Sequence, residues 1–325
     1  MTITSFPSSR AIAELHDLPQ HPAAITAFNV LSTTGFFLLL AILLTAALSR
    51  SVYRVSTWYT YMLAWMVFCI TPFPMLGHQT RLDAPPAWGT CLADAALMYA
   101  SRPYAGFATL ALLLQLYVTV KTRIQRTQIP RYFVPILMIL PPVSWIALVL
   151  AIVITGIRNP TLVELEPGGF YCHLSSPAPA VAVASLISLV GISILTVQIL
   201  TFRLLRAHWR AFRALQYPSD DAAPRDVSLS IILRVSTFAL LPFVGFVLSF
   251  LTYVPRLVPR IFGPYNIVLA CLPVAAALIF GSQTDVIDGW ASVLRINRIG
   301  AKVATGASTE KSEISVGTFT TVNSV

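Results

Sequence analysis

The chain has 325 residues, of which 56% are apolar and only 11% charged, with a formal net charge of +9. A water-soluble domain carries about 25% charged residues, so this one lacks the polar surface to cover itself in water. The basic excess does not point to nucleic acid, because the Lys and Arg residues sit mostly in short polar stretches between long apolar blocks.

In chain order, residues 1–23 contain Arg10, Glu14, Asp17 and prolines but no apolar core of signal-peptide length. They read as an extracellular N-terminus, and the first span is expected to act as its own insertion signal. Seven apolar blocks follow, at 24–48, 58–76, 90–120, 132–157, 178–204, 227–253 and 261–280. Each comes close to or exceeds the ~20 residues a helix needs to cross the hydrocarbon core. The third is longer than a membrane requires, so it is expected to tilt or to extend into water. Pro72, Pro74, Pro103, Pro141, Pro142, Pro242, Pro264 and Pro273 fall in or at the ends of these blocks. Neighbouring groups in a bundle can satisfy the carbonyls that prolines release, so kinks are expected rather than breaks.

Gly281 ends the last span, and Ser282-Gln283-Thr284-Asp285 has the pattern that starts another helix. Val286, Ile287, Trp290, Val293 and Leu294 recur at helical spacing, which predicts an amphipathic juxtamembrane helix over 282–297. The Ser- and Thr-rich stretch 298–325 reads as a disordered cytosolic tail. The fold class is therefore an all-α membrane protein, a seven-transmembrane helix bundle over 24–281 followed by one short amphipathic helix. The halves share no internal repeat.

Basic residues orient the bundle. Twelve fall in the loops on one side: Arg50, Arg54, Lys121, Arg123, Arg126, Arg131, Arg203, Arg206, Arg210, Arg213, Arg225 and Arg234. The other side has Arg10, Arg81, Arg158, Arg256 and Arg260. This predicts an outside N-terminus and a cytosolic tail, with the protein in the plasma membrane.

Four cysteines are present. Cys69 and Cys271 lie inside spans and read as packing residues. Cys91 at the outer end of the third span and Cys172 in the second outer loop both face the oxidising side, where disulfides persist. Their pairing would pin that loop over the bundle mouth; the alternative is two unpaired thiols.

Asp94 and Arg102 are ionisable groups at membrane depth, which are costly and usually face the bundle interior. With Tyr99, Tyr104 and His173 they form a candidate site for a small polar or anionic ligand. The competing reading is an Asp94–Arg102 pair that only neutralises itself, with Arg102 reaching outward. Gln115, Gln198 and Asn266 are read as interhelical hydrogen-bonding residues. At the cytosolic end of the fifth span Arg203, Arg206, Arg210 and Arg213 form one basic stripe, with Phe202, Leu205, Trp209 and Phe212 on the adjacent face. Anionic membrane lipids account for such a stripe, and so does a cytosolic protein partner.

No enzyme activity is expected. The lysines Lys121, Lys302 and Lys311 lie outside the spans, which excludes a retinal Schiff base there. His16, His21, His78, His173 and His208 are scattered, giving no metal site. No cofactor is implied.

Several short stretches together resemble a known family. They are Arg50-Ser51-Val52-Tyr53-Arg54 with Thr57-Trp58, Cys91-Leu92 with Tyr99-Ala100, and Tyr171-Cys172-His173-Leu174. Trp209-Arg210-Ala211-Phe212-Arg213, Arg234-Val235 and Phe280-Gly281-Ser282-Gln283-Thr284-Asp285 complete the set. With seven spans, the chain is similar to G-protein-coupled receptors, and more closely to seven-helix receptor-like proteins of mushroom-forming fungi. It departs from the rhodopsin-like class at Leu116-Tyr117-Val118-Thr119-Val120-Lys121-Thr122-Arg123, which lacks the acidic-Arg-aromatic triplet. It departs again at Pro273-Val274-Ala275-Ala276-Ala277-Leu278, which lacks the Asn-Pro…Tyr motif. The resemblance implies a cell-surface receptor that senses an extracellular ligand and signals through a heterotrimeric G protein. The alternatives are a membrane transporter or channel, or a non-signalling structural membrane protein.

Overall fold

The computed structural model describes residues 22–48, 54–79, 86–166, 168–207, 258–283, 286–287 and 290, with the side chains of 258–262 excepted. The sixth span expected at 227–253, the arginines Arg210 and Arg213, and the tail 298–325 lie outside the described residues. So does most of the juxtamembrane helix.

Six α-helices make up the described chain: α1 Pro22–Leu48, α2 Ser56–Ile70, α3 Trp88–Gln125, α4 Phe133–Arg158, α5 Pro177–Ala207 and α6 Val258–Gly281. Five of them, all but α2, are long and apolar enough to cross a membrane. That is the pattern of a multi-pass membrane protein. The expectation of wholly helical structure needs one correction, because a short antiparallel hairpin pairs β1 Val163–Leu165 with β2 Cys172–Leu174 between α4 and α5.

The second block differs from its expected bounds for a local reason. Pro72 has no N–H for the Phe68 carbonyl, and the Thr71 hydroxyl donates to that carbonyl instead, at 2.7 Å. The α-helix stops at Ile70 and the chain continues through the 3-10 turn Phe73–Met75. Fifteen residues of α2 reach only about 22 Å at 1.5 Å per residue.

Helix α3 is the axis of the bundle. It packs on α2, α4 and α5, while α1 packs on α2 and α6. Of its most apolar window 61% is buried, against 17% for α4 and 22% for α5. The core between α1, α2, α3, α5 and α6 contains Leu39, Tyr61, Met62, Leu112, Ile194 and Phe280. On α4 the residues Ile136, Ile139, Val143, Ile146, Leu150, Ile154 and Ile157 are exposed. They recur at helical spacing, so one unbroken apolar stripe runs the length of the helix. Water-soluble monomers do not carry such a stripe; hydrocarbon is its natural solvent.

Backbone approach between helices is closest at Gly35. A Cβ there would lie 3.0 Å from Cβ of Pro273 and 3.2 Å from Sγ of Cys69. Both neighbours belong to packed helices, and the proline ring cannot rotate away. Gly35→Val is therefore expected to wedge α1 from α2 and α6 at a cost of about 1–3 kcal/mol. The check is a lowered melting temperature of the detergent-solubilised variant; an unchanged melting temperature would show that α1 is not packed this closely.

At the end of the bundle away from the hairpin, Arg54 donates to Oε1 of Gln283 and lies over the Trp58 ring, 5.6 Å from its centroid. Nε1 of Trp290 donates to Oγ1 of Thr45 at 2.5 Å. The first short loop and the segment after α6 are thus held together. Within the bundle, Oγ1 of Thr57 donates to Oε1 of Gln115, an interhelical bond of the expected kind.

Candidate ligand-binding site

The hairpin end of the bundle is closed by the chain between α4 and α5. In β2 the side chains alternate, with Cys172 and Leu174 buried and His173 facing outward. Leu165 pairs with Cys172 at the closed end of the hairpin. The Glu166 N–H donates to the Tyr171 carbonyl at 3.0 Å, and the Gly169 N–H donates to the Glu166 carbonyl at 2.8 Å. Gly169 has φ +77°, a left-handed conformation open to glycine without strain.

Two grips from α3 hold this loop at one residue. Cys91 and Cys172 form a disulfide with an S–S distance of 2.04 Å. One turn further along, Oδ2 of Asp94 accepts from the Cys172 N–H at 2.7 Å. Asp94 is fully buried, and its Oδ1 has no hydrogen-bond partner among the described residues. A third hold comes from Gln79, whose Nε2 donates to the Phe170 carbonyl at 2.7 Å. Gln79 is itself bonded to Asn29 of α1. The Phe170 ring meets Phe28 edge to face at 5.6 Å.

With the loop fixed in this way, Tyr171 is directed inward onto Arg102. The guanidinium carbon lies 5.4 Å from the Tyr171 ring centroid and 5.9 Å from that of Tyr265 on α6. The guanidinium donates a hydrogen bond to the Tyr171 hydroxyl, and Tyr99 is close enough to interact electrostatically. Burial pushes the Tyr171 hydroxyl well above the usual phenol range, with Arg102 opposing. The hydroxyl is therefore neutral and serves Arg102 as an acceptor without balancing its charge.

Two further loop groups have shifted proton affinities. Glu166 is buried, and this raises its carboxyl to about 7, against the opposing pull of backbone N–H groups from Gly168, Phe170 and Gly169. Burial lowers His173, while Glu164, 3.5 Å away across the hairpin, opposes that shift.

The five residues expected to form a ligand site are distributed unevenly. Arg102 and Tyr99 come together. Asp94 is occupied at the loop, and no ion pair joins it to Arg102. Eight residues of helix separate the two by about 12 Å along the axis, which rules out the self-neutralising pair. Tyr104 turns the other way and stacks on Trp145 at 5.8 Å beside Ala64 and Ala108. His173 faces outward from the hairpin. Tyr171 and Tyr265 take the places beside Arg102 that Tyr104 and His173 were expected to fill. The only sequence signals for them were adjacency to Cys172 and Asn266.

At the opposite end Arg203 and Arg206 are both exposed on the last turns of α5. Cys69 is buried against Gly35, and Cys271 is exposed on α6. No family model matches the chain, and none of the curated proteins matches it.

Proposed function

We propose that this protein is a plasma-membrane receptor of seven-helix architecture, with its N-terminus outside. It senses an extracellular small molecule and signals through a heterotrimeric G protein. The observation carrying this reading is the loop tethered by Cys91–Cys172, which lays Tyr171 over the intramembrane Arg102. A charged group under a pinned cover at one end suits recognition of a ligand arriving from that side. Arg203 and Arg206 leave the other end basic and exposed, a face suited to a cytosolic partner as well as to anionic lipid headgroups. A transporter carries paired charges near the midplane, whereas here Asp94 and Arg102 both belong to the hairpin end.

The test has two parts. The solubilised protein should co-purify with fungal G-protein subunits in a complex that added nucleotide dissociates. Replacing Arg203, Arg206, Arg210 and Arg213 by Gln should abolish nucleotide exchange on the G protein while surface expression stays nearly normal. A protein that forms no such complex is not a G-protein-coupled receptor. Exchange that persists at normal strength in the four-fold variant would assign the stripe to lipid headgroups.

A further inference from the structure

Arg102 makes uneven use of its donors. Nε and Nη2 are sealed from solvent and have no hydrogen-bond acceptor among the described residues. These two nitrogens are the pair on one edge of the guanidinium, whose N–H bonds point the same way and match the two oxygens of a carboxylate. The remaining nitrogen, Nη1, is the one left for the Tyr171 hydroxyl. The Tyr171 and Tyr265 rings supply cation–π attraction. That is small beside the cost of an arginine charge held at membrane depth.

Among the described residues no carboxylate meets that edge. Asp94 is committed to the Cys172 N–H. Glu164 faces His173 on the hairpin, and the Glu166 carboxyl is held by the N–H groups of its own turn. The stretch 227–253 contains no acidic residue at all. The arginine therefore has a two-pronged donor edge, the rings of Tyr171 and Tyr265 against it, and no anion to meet it among the described residues.

We propose that the Nε/Nη2 edge of Arg102, closed off in this structure beneath Tyr171 of the tethered loop, opens to bind the carboxylate of a small organic acid with a flat apolar body. This names the ligand class for the site of the receptor reading, but it requires no G protein. Carboxylate and guanidinium would form two parallel charge-assisted bonds, and the acid's apolar body would lie against the tyrosine rings.

The experiment uses the purified full-length protein in nanodiscs, with binding read by calorimetry and by melting temperature. The probes are acetate, benzoate and trans-cinnamate, with benzamide as the neutral counterpart and inorganic phosphate as a rival anion. Benzoate and cinnamate should bind and raise the melting temperature. Benzamide, which has the same shape and no charge, should bind at least roughly a hundredfold more weakly. Arg102→Gln should lose the benzoate response, and Arg102→Lys should lose about tenfold or more, because an ammonium cannot present the paired donors. Arg158→Gln, an exposed basic residue at the same end, should bind as wild type. Equal binding of benzoate and benzamide to wild type would overturn the proposal without reference to any variant. A response to phosphate alone, to no carboxylate, or one retained in Arg102→Gln would overturn it too. Co-purification with G-protein subunits is read separately, so either reading can fail while the other stands.

Discussion

Cys91→Ser and Cys172→Ser should damage the protein equally, each by up to about 4–5 kcal/mol. The bond joins residues 81 positions apart, and closing a loop of that length removes entropy of this order from an unconstrained chain. Helices α3 and α4 remain inserted in the unfolded reference state, so the true loss lies below that figure. Neither substitution removes the second grip, since the Cys172 N–H still reaches Asp94. Single serine variants should therefore keep a loosened loop, whereas Asp94→Ala added to Cys172→Ser should loosen it further, leaving only the Gln79 and Phe28 contacts at Phe170 and the hairpin pairing. Mass spectrometry of non-reduced peptides should find Cys91 linked to Cys172 in the wild type. Hydrogen exchange over Phe170–Leu174 should rise in the single variants and rise further in the double variant. Two alkylatable thiols in the folded wild type would refute the tether, and unchanged exchange in the double variant would refute the role of Asp94.

The loop should also tighten as pH falls from about 8 to about 5. Glu166 has a carboxyl raised to about 7 in the folded loop, against about 4.3 for an unperturbed glutamate. Between those values the folded form holds more protons than the open form, so stability must decrease as pH rises through that window. Above about 7 the folded loop carries a buried carboxylate, and about 4 kcal/mol of the stability present at low pH is lost. Burial lowers His173 and so disfavours its charged form in the fold, which opposes the Glu166 effect, while the neighbouring Glu164 works against that shift. Reduction of Cys91–Cys172 by a phosphine should therefore be slower at pH 5.5 than at pH 8. Glu166→Gln, permanently neutral, should remove most of that difference and leave the high-pH rate near the wild-type low-pH rate. A wild-type reduction rate that does not change with pH would refute the coupling between Glu166 and the loop.

Both effects depend on one loop, of which only the anchor point was legible in the sequence. Cysteine placement named Cys91 and Cys172, because two thiols at the same membrane face leave few partners. Block hydropathy located α1, α3, α4, α5 and α6 to within a few residues, since crossing hydrocarbon requires continuous apolar sequence whatever the packing. The early end of α2 was less legible. Pro72 and Pro74 were visible, but whether they kink or stop a helix depends on which donor reaches the released carbonyl, and Thr71 is that donor only in the folded geometry.

The site itself needed the tertiary structure. Charge at membrane depth singled out Asp94 and Arg102 together, yet the two serve different partners because 12 Å of helix rise separates them. Tyr99 was found by proximity along α3. Tyr171 and Tyr265 reach Arg102 from a loop and from a helix more than sixty residues away in sequence. Their directions are set by how each element is rotated and held, which a hydropathy profile does not carry. Composition determines that this chain enters a membrane, and the cysteines determine where its loop is tied. Only the packing of α1, α3, α6 and the hairpin decides that an arginine at depth meets tyrosines, because side-chain direction is a property of the assembled bundle.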